Sequence, residues 1–128
     1  MVVRSDREAM MSGYLTTHVL DTALGVPAAG LAITLYAVEG EGRRELARAL
    51  TNADGRTDSP ILPAERFATG VYELVFQAGT YLDRTQGVAD GPRFLDEVPI
   101  RFGVDDATAH YHVPLLLSPF GYSTYRGS

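Results

Sequence analysis

The sequence predicts an all-β protein: a two-layer antiparallel sandwich with at most one short helix. Three observations carry that expectation. Seven or eight short runs either alternate apolar and polar residues or are rich in β-branched and aromatic ones. Turn-forming Gly, Pro, Asn and Asp separate these runs at regular intervals. Residues 80–85 are the one stretch expected as helix, enough for one or two turns. Strands that each bury one face are most simply satisfied by stacking two sheets.

The elements follow in order. Residues 14–20 (YLTTHVL) form the first strand. Residues 21–30 hold Gly25, Pro27 and Gly30 and are expected as loop. Residues 31–38 (LAITLYAV) alternate, with Leu31, Ile33 and Leu35 on one face. EGEG at 39–42 supplies a hairpin turn, and residues 43–51 the returning strand. Helix formers crowd residues 44–50, but the turn before them and NADG at 52–55 after them favour a strand. Residues 57–69 contain Pro60 and Pro63 and are mostly loop. Residues 70–77 (GVYELVFQ) set Val71, Glu73, Val75 and Gln77 opposite Tyr72, Leu74 and Phe76. After loop residues 87–92 comes a strand at 98–104 (VPIRFGV). Pro99 sits near its start, where a ladder donor can be spared. Asp105-Asp106 marks a turn. Residues 110–117 and 120–125 are the last two strands, parted by Ser118-Pro119.

Bulk properties bound the function. The chain has 128 residues, 45% of them hydrophobic, which fits one domain with a real core. The net charge of −5 argues against a nucleic-acid surface. No apolar run approaches the roughly 20 residues that cross a bilayer, so no membrane partner is expected. Cysteine is absent, which removes disulfide and thiolate chemistry; a cytoplasmic setting is expected. Residues 1–12 carry Arg4, Asp6, Arg7 and Glu8 and lack the apolar core of a secretory signal. They are expected as a disordered lead-in, with residues 13–128 as the domain.

Few residues can carry chemistry. The histidines are His18, His110 and His112. His110 and His112 share a strand face with Pro114 and Leu116, while Tyr111, Val113, Leu115 and Leu117 make the core face. The histidine face is therefore free to meet solvent or a partner. His110, near the strand start, is taken as a structural residue. Three histidines without a dense ligand motif do not make a metal site, and none is expected. A Ser118–His112–Asp21 triad can be drawn, but no G-x-S-x-G elbow supports it. Arg56 follows Asp54-Gly55 and reads either as a solvated turn residue or as a fork of donors for an anion.

Three segments together resemble one family. LTTHVLD at 15–21, TNADGRT at 51–57, and YHVPLLLSP at 111–119 followed by YSTYRGS at 122–128 are similar to the 5-hydroxyisourate hydrolases, transthyretin-like enzymes of purine catabolism. The likeness runs from about Gly13 to the last residue. The terminal Tyr-Arg-Gly-Ser is its most specific part, because it separates these hydrolases from the hormone-carrying transthyretins.

The resemblance implies a prealbumin-like sandwich of two four-stranded sheets. It implies a homotetramer, a dimer of dimers, with active sites in a central channel at the subunit interfaces. It carries the catalytic positions over to His18, Arg56, His112 and Ser128, with Tyr125, Arg126 and Gly127 completing a pocket for a small purine derivative. The implied reaction opens the N1–C6 bond of 5-hydroxyisourate to give 2-oxo-4-hydroxy-4-carboxy-5-ureidoimidazoline.

That chemistry needs an activated water, an electrophile clamp and a proton donor for the leaving nitrogen. His112, with Ser128, is expected to orient and deprotonate the water. Arg56 either holds the C6 oxygen or binds the anionic substrate. His18 positions the substrate or relays a proton. No metal or organic cofactor is required. Two rival readings remain at this level: a non-catalytic transthyretin-type carrier, and a structural sandwich module that would be monomeric.

Overall fold

The computed structural model describes residues 12–127. Eight strands and one α-helix appear in the order β1 (Tyr14–Asp21), β2 (Val26–Pro27), β3 (Ala32–Glu39), β4 (Gly42–Leu50), β5 (Gly70–Gln77), α1 (Ala78–Gln86), β6 (Glu97–Val104), β7 (His110–Ser118) and β8 (Gly121–Thr124). They make two four-stranded sheets, β2-β1-β7-β8 and β4-β3-β5-β6. The two-sheet sandwich expected from the sequence is the fold observed.

Three details differ from the sequence expectation. The sandwich is not wholly antiparallel, because β1 and β7 run parallel from Tyr14↔His110 to Asp21↔Leu117. Alternation is the same in either direction, so periodicity carries no signal for it. Val26–Pro27, expected as loop, adds a two-residue edge strand on β1. The helix covers nine residues rather than one or two turns within 80–85.

The facing sheets enclose the core. Leu15, Val19, Leu31, Ile33, Leu35, Leu74, Phe76, Val98, Leu115 and Leu117 are all buried within it. Along β1 the buried residues Leu15, Thr17, Val19 and Asp21 alternate with half-exposed Tyr14, Thr16, His18 and Leu20. β7 repeats this with Tyr111, Val113, Leu115 and Leu117 turned inward. The period-two pattern thus puts His110 and His112 on the outer face of the β2-β1-β7-β8 sheet, as their spacing predicts.

The helix-like composition of residues 44–50 resolves into a strand with a β-bulge. Leu35 pairs with Ala47 and Tyr36 with Glu45, which leaves Leu46 as the extra residue. Glu73, on the face opposite Tyr72, Leu74 and Phe76, is nonetheless buried. Arg101 on the adjacent β6 and Arg43 on β4, one strand beyond β3, bind its two carboxylate oxygens at 3.0 and 2.6 Å and cover it. At the far end of β1, Asp21 accepts the backbone N–H of Ala23 and Leu24 and the hydroxyl of buried Tyr81, which pins α1 to the other sheet.

Candidate active site

A polar cleft of about 1060 Å³ opens on the outer face of the β1–β7 pair. Tyr14, Thr16, His110 and His112 form its floor. One wall is the segment that follows β4, with Arg56, Thr57, Asp58, Ser59 and Pro60. The opposite wall is the tail beyond β8, with Tyr125, Arg126 and Gly127.

Both walls are stitched to the floor by backbone. Val19 N–H donates to the Gly55 carbonyl at 2.8 Å, and His18 and Arg56 form a β-bridge. Gly55 has φ +75°, and a Cβ there would collide with the Val19 carbonyl oxygen. Only glycine lets the NADG turn press against β1 and deliver Arg56 to the cleft. On the other side Gly127 N–H donates to the His112 carbonyl at 2.7 Å. A Cβ on Gly127 would stand 2.7 Å from His112 Cδ2. The terminal glycine is therefore what allows the tail to lie across the imidazole.

Each candidate side chain among the described residues has a definite place. His112 is held at Nδ1, 2.8 Å from Thr16 Oγ1, and Gly127 covers its Cδ2 edge. Among the described residues its Nε2 has no hydrogen-bond partner. The ring's pKa is pushed below its usual value of 6.5 by burial first, then by the charge of Arg56 and by His110 and His18. At neutral pH His112 is consequently an uncharged base. His18 lies on β1 with its ring centroid 6.5 Å from that of His112. Its Nε2 sits 2.8 Å from the Asp54 carbonyl oxygen. A carbonyl only accepts, so that nitrogen carries the proton and only Nδ1 remains for a ligand.

Arg56 is exposed and lines the cleft. Among the described residues it makes no salt bridge, unlike Arg43, Arg44, Arg48, Arg93 and Arg101. Within that set its guanidinium donors have no acceptor and can serve an anion. Arg126 lines the same cleft, but its guanidinium carbon stands 3.9 Å over the Tyr111 ring. That stacking anchors the tail. Tyr125 is 57% exposed at the rim. Ser128 lies outside the described residues, as do residues 1–11 of the expected lead-in.

The drawn triad does not assemble. Asp21 is committed to Tyr81 at the end of β1, and the Ser118 hydroxyl donates to the Gly121 carbonyl at 3.1 Å. His110, read from the sequence as structural, lies in the cleft floor. It stacks on Tyr14 with centroids 4.2 Å apart, and its Nε2 is 2.6 Å from Thr16 Oγ1. Thr16 was missed altogether. The available signal was its position two before His18 on an outward face.

A two-sheet sandwich that bears an arginine- and histidine-lined cleft on one sheet's outer face is a site-bearing domain of transthyretin type. Residues 15–127 match the HIUase/Transthyretin family. The chain is 62% identical over 118 residues to "5-hydroxyisourate hydrolase 2" of Rhizobium meliloti (strain 1021), covering 91% of this chain and 98% of that one. It is 57% identical to the 5-hydroxyisourate hydrolase of Pseudomonas aeruginosa, with 91% and 92% covered. Among solved structures, Klebsiella pneumoniae 5-hydroxyisourate hydrolase superposes with a TM-score of 0.74 at 34% identity, covering 91% of this chain and 99% of that one. Sea bream transthyretin in complex with thyroxine gives 0.78 at 28% identity, with 88% and 93% covered. The chain belongs to the HIUase/transthyretin family.

Proposed function

We propose that this protein is an enzyme that hydrolyses 5-hydroxyisourate to 2-oxo-4-hydroxy-4-carboxy-5-ureidoimidazoline, in urate degradation. One observation carries the reading: His112 and Arg56 meet in one cleft, and the family's terminal Tyr125-Arg126-Gly127 is clamped across His112. Relatives bearing the hydrolase name at 62 and 57% identity support it. A floor of imidazoles beside an arginine that makes no salt bridge among the described residues suits a polar, anionic purine derivative better than an apolar hormone.

The chemistry follows from the groups present. His112 Nε2 takes a proton from the attacking water. Arg56 donates to the C6 oxygen as negative charge develops. His18, fixed by the Asp54 carbonyl, positions the ring through Nδ1. Ser128, one residue beyond the Gly127 clamp, completes the set with its hydroxyl or carboxylate, and Tyr125 closes the rim. Each step is ordinary acid–base and electrostatic catalysis, which needs no resident cofactor.

The cleft is at the upper end of the size range of small-molecule pockets and open on one side, which favours a further wall supplied by another subunit. We infer a cytoplasmic homotetramer, a dimer of dimers with its sites at subunit interfaces, formed by the domain at residues 13–128. No helix among the described residues is long and apolar enough to cross a membrane. The test of function is direct: 5-hydroxyisourate is generated from urate with urate oxidase, and its ultraviolet absorbance is followed with and without the protein. Faster decay is expected. Decay at the spontaneous rate would return the protein to the carriers. Light scattering tests the tetramer, and a monomer would remove it.

A further inference from the structure

The floor of the cleft holds a device that the hydrolytic residues alone do not explain. Parallel pairing sets Thr16 directly opposite His112, and Tyr14 opposite His110. All four side chains lie on the outer face. Thr16 Oγ1 therefore sits between two imidazoles, 2.6 Å from His110 Nε2 and 2.8 Å from His112 Nδ1. A hydroxyl owns one proton. It can donate to one of these nitrogens, and the other must then donate to it. The tautomers of His110 and His112 are locked to each other through Thr16.

We propose that Thr16 and His110 are positioning residues for His112: Thr16 donates to His110 Nε2 and accepts the His112 Nδ1 proton, so that His112 presents its Nε2 lone pair to the attacking water. The proposal rests on the reading of His112 as the base in ring opening.

The bridge also balances the proton through the reaction. As water gives a proton to His112 Nε2, the Nδ1 proton of His112 moves to Thr16 Oγ1, and the Thr16 proton moves to His110 Nε2. His112 stays neutral and now carries Nε2–H. On collapse of the intermediate the three transfers run backward, and His112 Nε2–H protonates the leaving nitrogen. One water O–H bond has broken, one product N–H bond has formed, and all three side chains have returned to their starting state.

The surroundings favour moving the charge. Arg56 on the wall segment, His18 on β1 and His110 on β7 all oppose a cation at His112, and Arg126 in the tail adds a further positive charge to the cleft lining. Among the described residues, Asp58 is the acidic group in that lining. Its carboxylate accepts the Asn52 side-chain amide at 3.0 Å. His110 instead lies flat against Tyr14, at an interplanar angle of 14°, and an aromatic face stabilises a cation.

The experiment pairs a substrate-free measurement with kinetics. Nitrogen-15 NMR of the imidazoles in the wild type should show His112 protonated at Nδ1 and His110 unprotonated at Nε2. Thr16→Val keeps the shape and removes the bridge. It should shift His112 toward the Nε2–H tautomer and lower kcat on the order of 10²-fold with little change in KM. Thr16→Ser restores the hydroxyl and should recover most of the rate. His110→Gln should lower kcat and flatten its acid limb. Thermal melting of each variant near the wild-type temperature shows that the fold is retained. An active wild type whose Thr16→Val variant keeps both rate and tautomer, or a wild-type His112 found as Nε2–H, overturns the relay while sparing the hydrolase. A wild type inert toward 5-hydroxyisourate overturns the ring-opening reading, and with it the relay's catalytic role.

Discussion

Gly127 donates its backbone N–H to the His112 carbonyl at 2.7 Å and lies so close that a Cβ would stand 2.7 Å from His112 Cδ2. The tail of the chain is thus one wall of the cleft and also the brace of its central imidazole. Gly127→Ala is expected to turn the ring or lift the tail. A misplacement near 1 Å costs on the order of 10²-fold in rate, so kcat should fall by about that much. Stability should change little, because the brace is at the surface. Steady-state kinetics beside a thermal melt checks both. Wild-type kcat in the variant would show that the brace does not set the ring.

The same brace predicts an asymmetry between the two ends of the chain. A tag fused after Ser128 must leave through the wall that Tyr125, Arg126 and Gly127 form. It should suppress ring opening, whereas the same tag before Met1 should not. Assaying both forms at equal protein concentration decides the matter. Equal rates would mean that the terminus plays no part in the site.

Removing the proposed catalytic groups should cost activity much more than it costs the fold. His112→Ala deletes the proposed base and should lower kcat by roughly 10²–10⁴-fold. Arg56→Ala deletes the anion clamp and should lower kcat/KM by roughly 10²–10³-fold. Neither side chain belongs to the core, so light scattering should report the wild-type assembly. A near-normal rate in either variant would remove that residue from the chemistry.

Much of this was legible in the sequence because alternation reports which face a residue occupies. The outward placement of His112 follows from Tyr111, Val113 and Leu115 facing the core. What alternation does not report is which strands are neighbours. The parallel β1–β7 pair, and so the meeting of Thr16 with both histidines, is a matter of long-range register. His110 was read as structural from its place near the strand start, and its contacts in the cleft floor were hidden because its partners lie 94 and 96 residues away, on β1. Glu73 is a similar case: alternation sets it opposite Tyr72 and Leu74, but the arginines on β4 and β6 that close over it were not visible from its own strand. The glycines at 55 and 127 carried no such signal either, because their need is set by Val19 and His112 across the fold.

The buried pair at the far end of β1 is structural, and its loss should appear in stability alone. Tyr81 donates to Asp21 Oδ2 at 2.8 Å, and burial with that bond pushes the phenol up to about 12. Tyr81→Phe leaves the carboxylate oxygen without its partner at a site only 2% exposed. The expected cost is about 1–3 kcal/mol by chemical denaturation, with kcat unchanged. An unchanged midpoint would mean that water replaces the hydroxyl freely.

The last prediction concerns pH. Burial, Arg56, His110 and His18 all disfavour the imidazolium at His112, so its proton leaves below the usual 6.5. The base form therefore dominates at neutrality, and kcat should hold steady as pH falls past 6.5, then drop through the depressed value. Replacing Arg56 by Met removes the second cause and should move the His112 titration up toward 6.5. The shift is measured by NMR of the His112 ring proton, so it does not depend on residual activity. Folding is linked to the same group. Below about pH 6.5 the unfolded chain takes up a proton that the folded site refuses, so this contribution to stability is present above 6.5 and is lost as pH falls through the folded value. Denaturant midpoints across that range should fall toward acid in the wild type and fall less in Arg56→Met. A His112 titration at or above 6.5 in the wild type would contradict the buried, cation-flanked setting on which the base assignment stands.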